Sequence, residues 1–200
     1  MSAVFSEYEL REMGVSFDAM TKDETGAVKY NASPSYKSAN CVGSSEEELE
    51  TRVISKSCRG VVVKKVVKGK GTGTLSISMH CPYDIYTEAY GMVIDTILDG
   101  VKAYGTNSIH KPFSIVQHVF DEDGNEKFKA YPNCIIESSK TSKTENGAEE
   151  VPEIELEISL MPDIYGNCEY EALASELTDE TLKTKWMTAF TPDLVNAATA

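Results

Sequence analysis

Polar and apolar residues alternate most cleanly at Glu153-Ile154-Glu155-Leu156-Glu157-Ile158-Ser159-Leu160. A period of two puts the three glutamates on one side of a strand and the aliphatic residues on the other. Thr74-Leu75-Ser76-Ile77-Ser78-Met79-His80 repeats the pattern, with Leu75, Ile77 and Met79 on the buried side. Upstream, residues 51–57 and 60–68 are rich in Val, Ile and Thr, which suit a pleated surface. Gly69-Lys70-Gly71-Thr72-Gly73 reads as the turn of a long β-hairpin formed with residues 74–80. Residues 113–121 and 127–138 make a second hairpin, because Asp123-Gly124 between them is a strong hairpin-turn signal. Residues 167–173 supply a last strand.

Two helices fit the remaining pattern. Pro82 suits a first helical position, since its missing N–H is an orphan there anyway. Ile85, Tyr86, Ala89 and Tyr90 then make one apolar stripe, Gly91 can close the helix, and the stripe could run on through Val93, Ile97 and Val101. Thr178 can cap a C-terminal helix with Asp179 and Glu180 in its first turn, and Leu182, Trp186 and Phe190 recur every four residues. Thr191-Pro192 ends it. Residues 1–48 are sparse in apolar residues and predict an arm or long loop with one or two short strands; residues 139–151 predict a flexible loop. The expected division is thus an N-terminal arm, 1–48, and a β-domain with a C-terminal helix, 49–200.

Composition narrows the function. The apolar fraction is 41% and the charged fraction 26%, enough apolar surface for a core. The longest apolar runs, such as Val61-Val62-Val63, are three residues, far short of the roughly 20 needed to span a membrane. Residues 1–10 carry Glu7 and Glu9 and no basic region before an apolar stretch, so they do not read as a secretory signal. The formal charge is −13, and residues 111–200 carry most of the excess, with 7 bases against 18 acids. Such a chain repels polyanions at long range. The exception is Arg52, Lys56, Arg59, Lys64, Lys65, Lys68 and Lys70, seven bases in nineteen residues. The aromatics that would stack on bases are missing from this run, so acids elsewhere, on this chain or a neighbouring copy, suit it better. Glu46, Glu47 and Glu48 lie immediately upstream.

Candidate chemistry is sparse. The glycine run lacks the Gly-Lys-Ser/Thr ending of a phosphate loop and is followed by a strand, not a helix. Cys41, Cys58, Cys81, Cys134 and Cys168 contain no Cys-x-x-Cys and read as reduced, mostly buried thiols. Cys81, Cys134 and Cys168 match no zinc spacing with His80, His110 and His118. No nucleophile elbow or zinc-protease motif occurs. The chain reads as a non-enzyme without a cofactor or metal.

Lys68-Gly69-Lys70-Gly71-Thr72-Gly73-Thr74-Leu75-Ser76-Ile77-Ser78-Met79-His80-Cys81-Pro82-Tyr83-Asp84, followed by Tyr90-Gly91-Met92, resembles the major tail proteins of phages with long, non-contractile tails and Gram-positive hosts. The likeness extends to residues 50–60, to the 121–125 turn, to Ala130-Tyr131-Pro132 and to the acidic strand, and covers about residues 45–175. It implies a mainly β fold with minor α content: an antiparallel β-sandwich or partial barrel with a flanking helix and a C-terminal helix. It further implies a structural virion protein, assembled in the host cytoplasm. Hexameric rings would stack into a tube around a tape measure protein and, with distal tail and terminator proteins, conduct DNA transiently through the bore. Four strands from each of six subunits, ~4.8 Å apart and tilted roughly 40°, would close at a backbone diameter on the order of 50 Å, wide enough for a duplex.

On this resemblance Glu153, Glu155 and Glu157 are the expected bore-lining residues. An acidic wall offers phosphates no counter-ion release and so no place to stick. Glu46, Glu47, Glu48, Arg52, Lys56, Lys64, Lys65, Lys68 and Lys70 are the expected contacts between stacked rings. Two alternatives remain: a related tube or terminator assembly protein, and a small β-barrel that binds single-stranded nucleic acid.

Overall fold

The computed structural model describes all residues except 1–4, 23, 93–96, 143, 145, 148 and 197–200. The fold is mainly β and antiparallel. Its strands are β1 (Glu9–Ser16), β2 (Met20–Lys22), β3 (Val28–Tyr30), β4 (Lys37–Ser38), β5 (Val42–Cys58), β6 (Val61–Met79), β7 (Phe113–Phe120), β8 (Glu126–Ile136), β9 (Ile154–Leu160) and β10 (Tyr170–Leu173). The helices are α1 (Tyr83–Ala89), α2 (Glu180–Ala189) and α3 (Pro192–Val195). The main sheet has eight strands in the order β4-β1-β7-β8-β9-β6-β5, with β10 beside β8, while β2 and β3 pair separately. The two ends of this path do not pair, so the barrel is partial.

β8 makes the bend that gives the molecule two cores. Its first half pairs with β10 (Lys127↔Leu173 to Ala130↔Tyr170) and its second half with β9 (Cys134↔Leu160 to Ile136↔Ile158). Pro132 sits between the two, where the register against β7 also slips, a place where a missing N–H does no harm. Strand alternation then sends neighbouring residues of β7 to opposite cores. Ile115 packs with Leu75, Ile77, Tyr131, Leu156 and Ile158 under α1, and Val116 packs with Phe128, Trp186 and Phe190 under α2.

Helix α1 and its C-cap Tyr90 bury the stripe read from the sequence, Ile85, Tyr86, Ala89 and Tyr90. Pro82 is its N-cap rather than its first helical residue, and Gly91 follows with φ of 61°. A Cβ on Gly91 would lie 2.0 Å from the Ile109 carbonyl oxygen, so only glycine fits. Val93, in the expected continuation, lies outside the described residues. Helix α2 is capped by Asp179, not Thr178: the Asp179 carboxylate accepts from the Thr181 and Leu182 N–H groups at 2.8 and 3.4 Å. An ionised carboxylate outbids a neutral hydroxyl one residue away, because it also meets the positive end of the helix dipole.

Three other expectations are corrected. Residues 1–48, expected as an arm or long loop with one or two short strands, carry β1 to β4 and the start of β5; β1 pairs with β7 from Glu9↔Phe120 to Ser16↔Ser114 and buries Met13 and Val15. The hairpin turn is not the glycine run but Arg59-Gly60, two residues between Cys58 and Val61. Both have positive φ, 51° and 80°, as the right-handed twist of a two-residue hairpin demands. Gly69 to Gly73 instead lies inside β6 as a bulge, where Glu50 alone faces Lys70, Gly71 and Thr72. The cysteines, expected to be mostly buried, include two, Cys41 and Cys58, that are exposed.

Candidate functional site

β5 and β6 are one ribbon with two environments. From Gly73 to Met79, β6 is flanked by β9 on its other side. From Gly69 and Thr51 to the tip, the two strands have only each other among the described residues. Eight residues at ~3.3 Å each make this free arm about 26 Å long. It is apolar on both sides: Val53, Ile54, Val61, Val62, Val63 and Val67 are each 45% to 65% exposed. Val53 faces Val67 across the ribbon and Ile54 faces Val66, so successive apolar pairs alternate between its two faces.

The arm is also strongly basic. Residues 51–68 hold Arg52, Lys56, Arg59, Lys64, Lys65 and Lys68 and no acid. The register sets Arg52 directly opposite Lys68 and Lys56 directly opposite Lys64. Like charges across an antiparallel pair oppose the pairing. None of the six makes an ion pair with a described residue. Lys70, by contrast, is engaged at the base of the arm, where it and Thr72 both donate to the Glu50 carboxylate, at 3.1 and 2.6 Å. The arm thus combines free edges, apolar faces and unpaired positive charge.

The root of the same ribbon carries the opposite charge on one face. Glu46 pairs with Ser76, which pairs with Glu157; Ser44 pairs with Ser78, which pairs with Glu155. Paired residues share a side of the sheet, so Glu46, Glu48, Glu155 and Glu157 form a single exposed acidic face lined with Ser and Thr. Glu153 adds to it and accepts from the Ser78 hydroxyl at 2.6 Å. A groove of about 470 Å³ runs along it, walled on one side by Ser138, Ser139 and Thr141. Ile154, Leu156 and Ile158 point into the protein, as their alternation with the glutamates requires.

Glu47 points the other way and is not available to the basic run. Its carboxylate takes a hydrogen bond from the Tyr131 hydroxyl and pairs with the Lys129 ammonium at 2.8 Å. Lys129 is buried on β8 and also meets Glu7 at 3.3 Å and Glu169 at 3.5 Å. Lys127, on the same face, pairs with Glu7 and Glu171. Burial would raise the Glu47 carboxyl, but the bonds from Lys129 and Tyr131 outweigh it and hold it below its usual range. Burial likewise works against the Lys129 charge, and the Glu47 bond overcomes it, so Lys129 stays protonated beyond its ordinary range. Burial and the adjacent Glu47 charge push the Tyr131 hydroxyl far up. This cluster ties β8 to β5, and the bond from Gln117 to Ser45 at 3.0 Å does the same from β7.

The histidines and cysteines do not gather. His110, in the loop before β7, contacts the Ile136 carbonyl oxygen at 2.7 Å, and His118 on β7 contacts Glu126 at the opposite end of β8 at 3.1 Å. No group of three His, Cys, Asp or Glu side chains suited to a metal ion occurs among the described residues. No helix among them is long and apolar enough to cross a membrane. No protein-family model matches the chain, and the search of curated proteins finds no match to it.

Proposed function

We propose that the chain is a structural subunit that assembles with copies of itself into stacked rings, as the tail-tube proteins it resembles do. The observation that carries this reading is the arm. A two-stranded ribbon this long is marginal alone in water. Its open edges and apolar faces invite pairing with another chain, and its facing positive charges need acids from outside. Outside the arm the chain has 13 bases against 32 acids, so a second copy offers what the first lacks. Arg52, Lys56, Lys64, Lys65 and Lys68 serve as the contacts between rings; Glu47 and Lys70, tied up within the chain, do not.

In the same reading Glu153, Glu155 and Glu157, joined by Glu46 and Glu48, face the bore. The rings, six copies each, enclose a tape measure protein and later pass DNA. A wall of glutamate and serine gives phosphates nothing to release counter-ions against, so a duplex slides without being held.

Negative-stain microscopy of the purified chain over a range of concentrations tests the proposal. Rings or tubes with a central hole support it. A monomer at every concentration overturns it, and salt-sensitive oligonucleotide binding by that monomer would make the arm a nucleic-acid ribbon instead. Changing Glu153, Glu155 and Glu157 together to Lys tests the bore: tubes should still form, and genome ejection from particles carrying them should slow. Unchanged ejection would remove the bore assignment alone.

A further inference from the structure

The Lys129 cluster has more acid than base. Glu7, Glu47 and Glu169 surround one buried ammonium, and Lys127 with Glu171 extends the group to four carboxylates and two lysines. Excess negative charge in a buried setting is relieved most cheaply by a proton. Geometry selects the carboxyl that takes it. Glu47 holds two donors, Lys129 and Tyr131. Glu7 is shared between both lysines. Glu169 has the longest contact with Lys129, 3.5 Å, lies against the Glu47 carboxylate, and its Oε1 is buried without a hydrogen bond.

We propose that Glu169 is the proton-binding member of a latch that fastens three separate segments to β8: the root of the arm through Glu47, the chain before β1 through Glu7, and the approach to β10 through Glu169 itself. Protonated, Glu169 can donate to Glu47 and leaves the cluster better balanced. Ionised, it is a third carboxylate competing for Lys129, and the latch loosens. A cavity of about 250 Å³, lined by Glu7, Tyr8, Glu9 and Gly43 as well as Glu47, Lys129 and Tyr131, adjoins the cluster and gives the loosened segments room to move.

Charges from every packed element bear on Glu169: Lys127, Lys129 and Tyr131 from β8, Glu47 from β5, and Glu7 from the N-terminal segment. Glu171 of β10 and the Cys168 thiol complete the set; the Tyr170 hydroxyl is turned to Asp163 at 2.6 Å, Gln117 of β7 is neutral, and Glu9 is taken by Arg11 at 2.8 Å. Burial, then the Glu47 charge, raises the Glu169 carboxyl from its ordinary 4.5 to about 7. The folded chain therefore keeps this proton where the unfolded chain has lost it. Its stabilising contribution is full below 4.5, falls as pH rises from 4.5 to about 7, and is gone above that. Glu47 is shifted the opposite way, so its contribution is lost only in acid and leaves the pH 5–8 window to Glu169.

The test is urea unfolding of the full chain from pH 5 to 8, beside Glu169→Gln, which mimics the protonated state. In the unaltered chain the unfolding constant should rise with pH by up to about tenfold per unit below pH 7, the limit for one proton. Glu169→Gln should flatten that slope and be the more stable chain at pH 8. Hydrogen-exchange protection, taken relative to the intrinsic exchange rate at each pH, should fall above pH 7 at residues 7–10 and 45–48 in the unaltered chain only. An unchanged slope in the variant, or a variant weaker at pH 8, overturns the proposal. Should the variant not fold, carboxyl NMR of the unaltered chain decides: a Glu169 midpoint near 7 supports the latch and one below 5 refutes it. The latch lies within one copy of the chain and does not depend on tube assembly.

Discussion

The inner and outer halves of the β5–β6 ribbon are continuous strands with opposite surroundings. In the inner half, Leu75, Ile77 and Met79 are almost wholly buried, and every second residue faces water. The outer half is exposed on both faces, with valine and isoleucine left in solvent beside lysine. Neighbours make the difference: β9 supports β6 only from Gly73 onward. A strand buried on one side by its own chain must alternate. A strand without a neighbour in its own chain need not, and the outer half does not.

Substitutions can break or sharpen that contrast. The largest effect on folding should come from the body. Trp186 is buried, donates to the Lys129 carbonyl oxygen at 3.2 Å and packs against Phe128 and Phe190, so Trp186→Ala should cost about 3–5 kcal/mol in chemical unfolding. Gly91→Ala forces a Cβ against the Ile109 carbonyl at positive φ and should cost more than about 1 kcal/mol by the same measurement. Asp179→Ala removes the α2 cap and should cost about 1 kcal/mol, read as a lower midpoint of thermal unfolding. The smallest effect on folding belongs to the arm: Val62→Thr with Val67→Thr should leave the stability of a single copy within about 0.5 kcal/mol. Sedimentation should nonetheless show weaker association. A pair of arm substitutions that unfolded the single copy would erase the distinction between the halves.

How far the sequence revealed this arrangement follows the same line. Residues 153–160 and 74–79 were legible because each has one face in the chain's own core. Met13 and Val15 alternate too, but the polar residues around them hid β1 in what reads as an arm. The glycine run misleads about the hairpin turn for a physical reason. Arg59-Gly60 is a weak turn signal, since arginine rarely adopts positive φ, whereas the glycine run is a strong one. Two of those glycines answer close approaches instead: a Cβ on Gly73 would sit 2.6 Å from the Glu48 carbonyl oxygen, and one on Gly71 2.7 Å from that of Gly166. The Lys129 cluster was beyond pattern reading because Glu7, Glu47, Lys129 and Glu169 come from four distant stretches. Its one local trace is a lysine at Lys129, set between Phe128 and Ala130 in a strand buried on both faces.

The central claim is that the outer half of the ribbon is completed by other copies of the chain. Amide hydrogen exchange of the full chain, followed from dilute to concentrated protein, tests it most directly. The account predicts that edge amides in residues 51–58 and 61–68 exchange freely when dilute and become protected as concentration rises, while residues 73–79 stay protected throughout. Arm amides that exchange at the same rate at every concentration would contradict it.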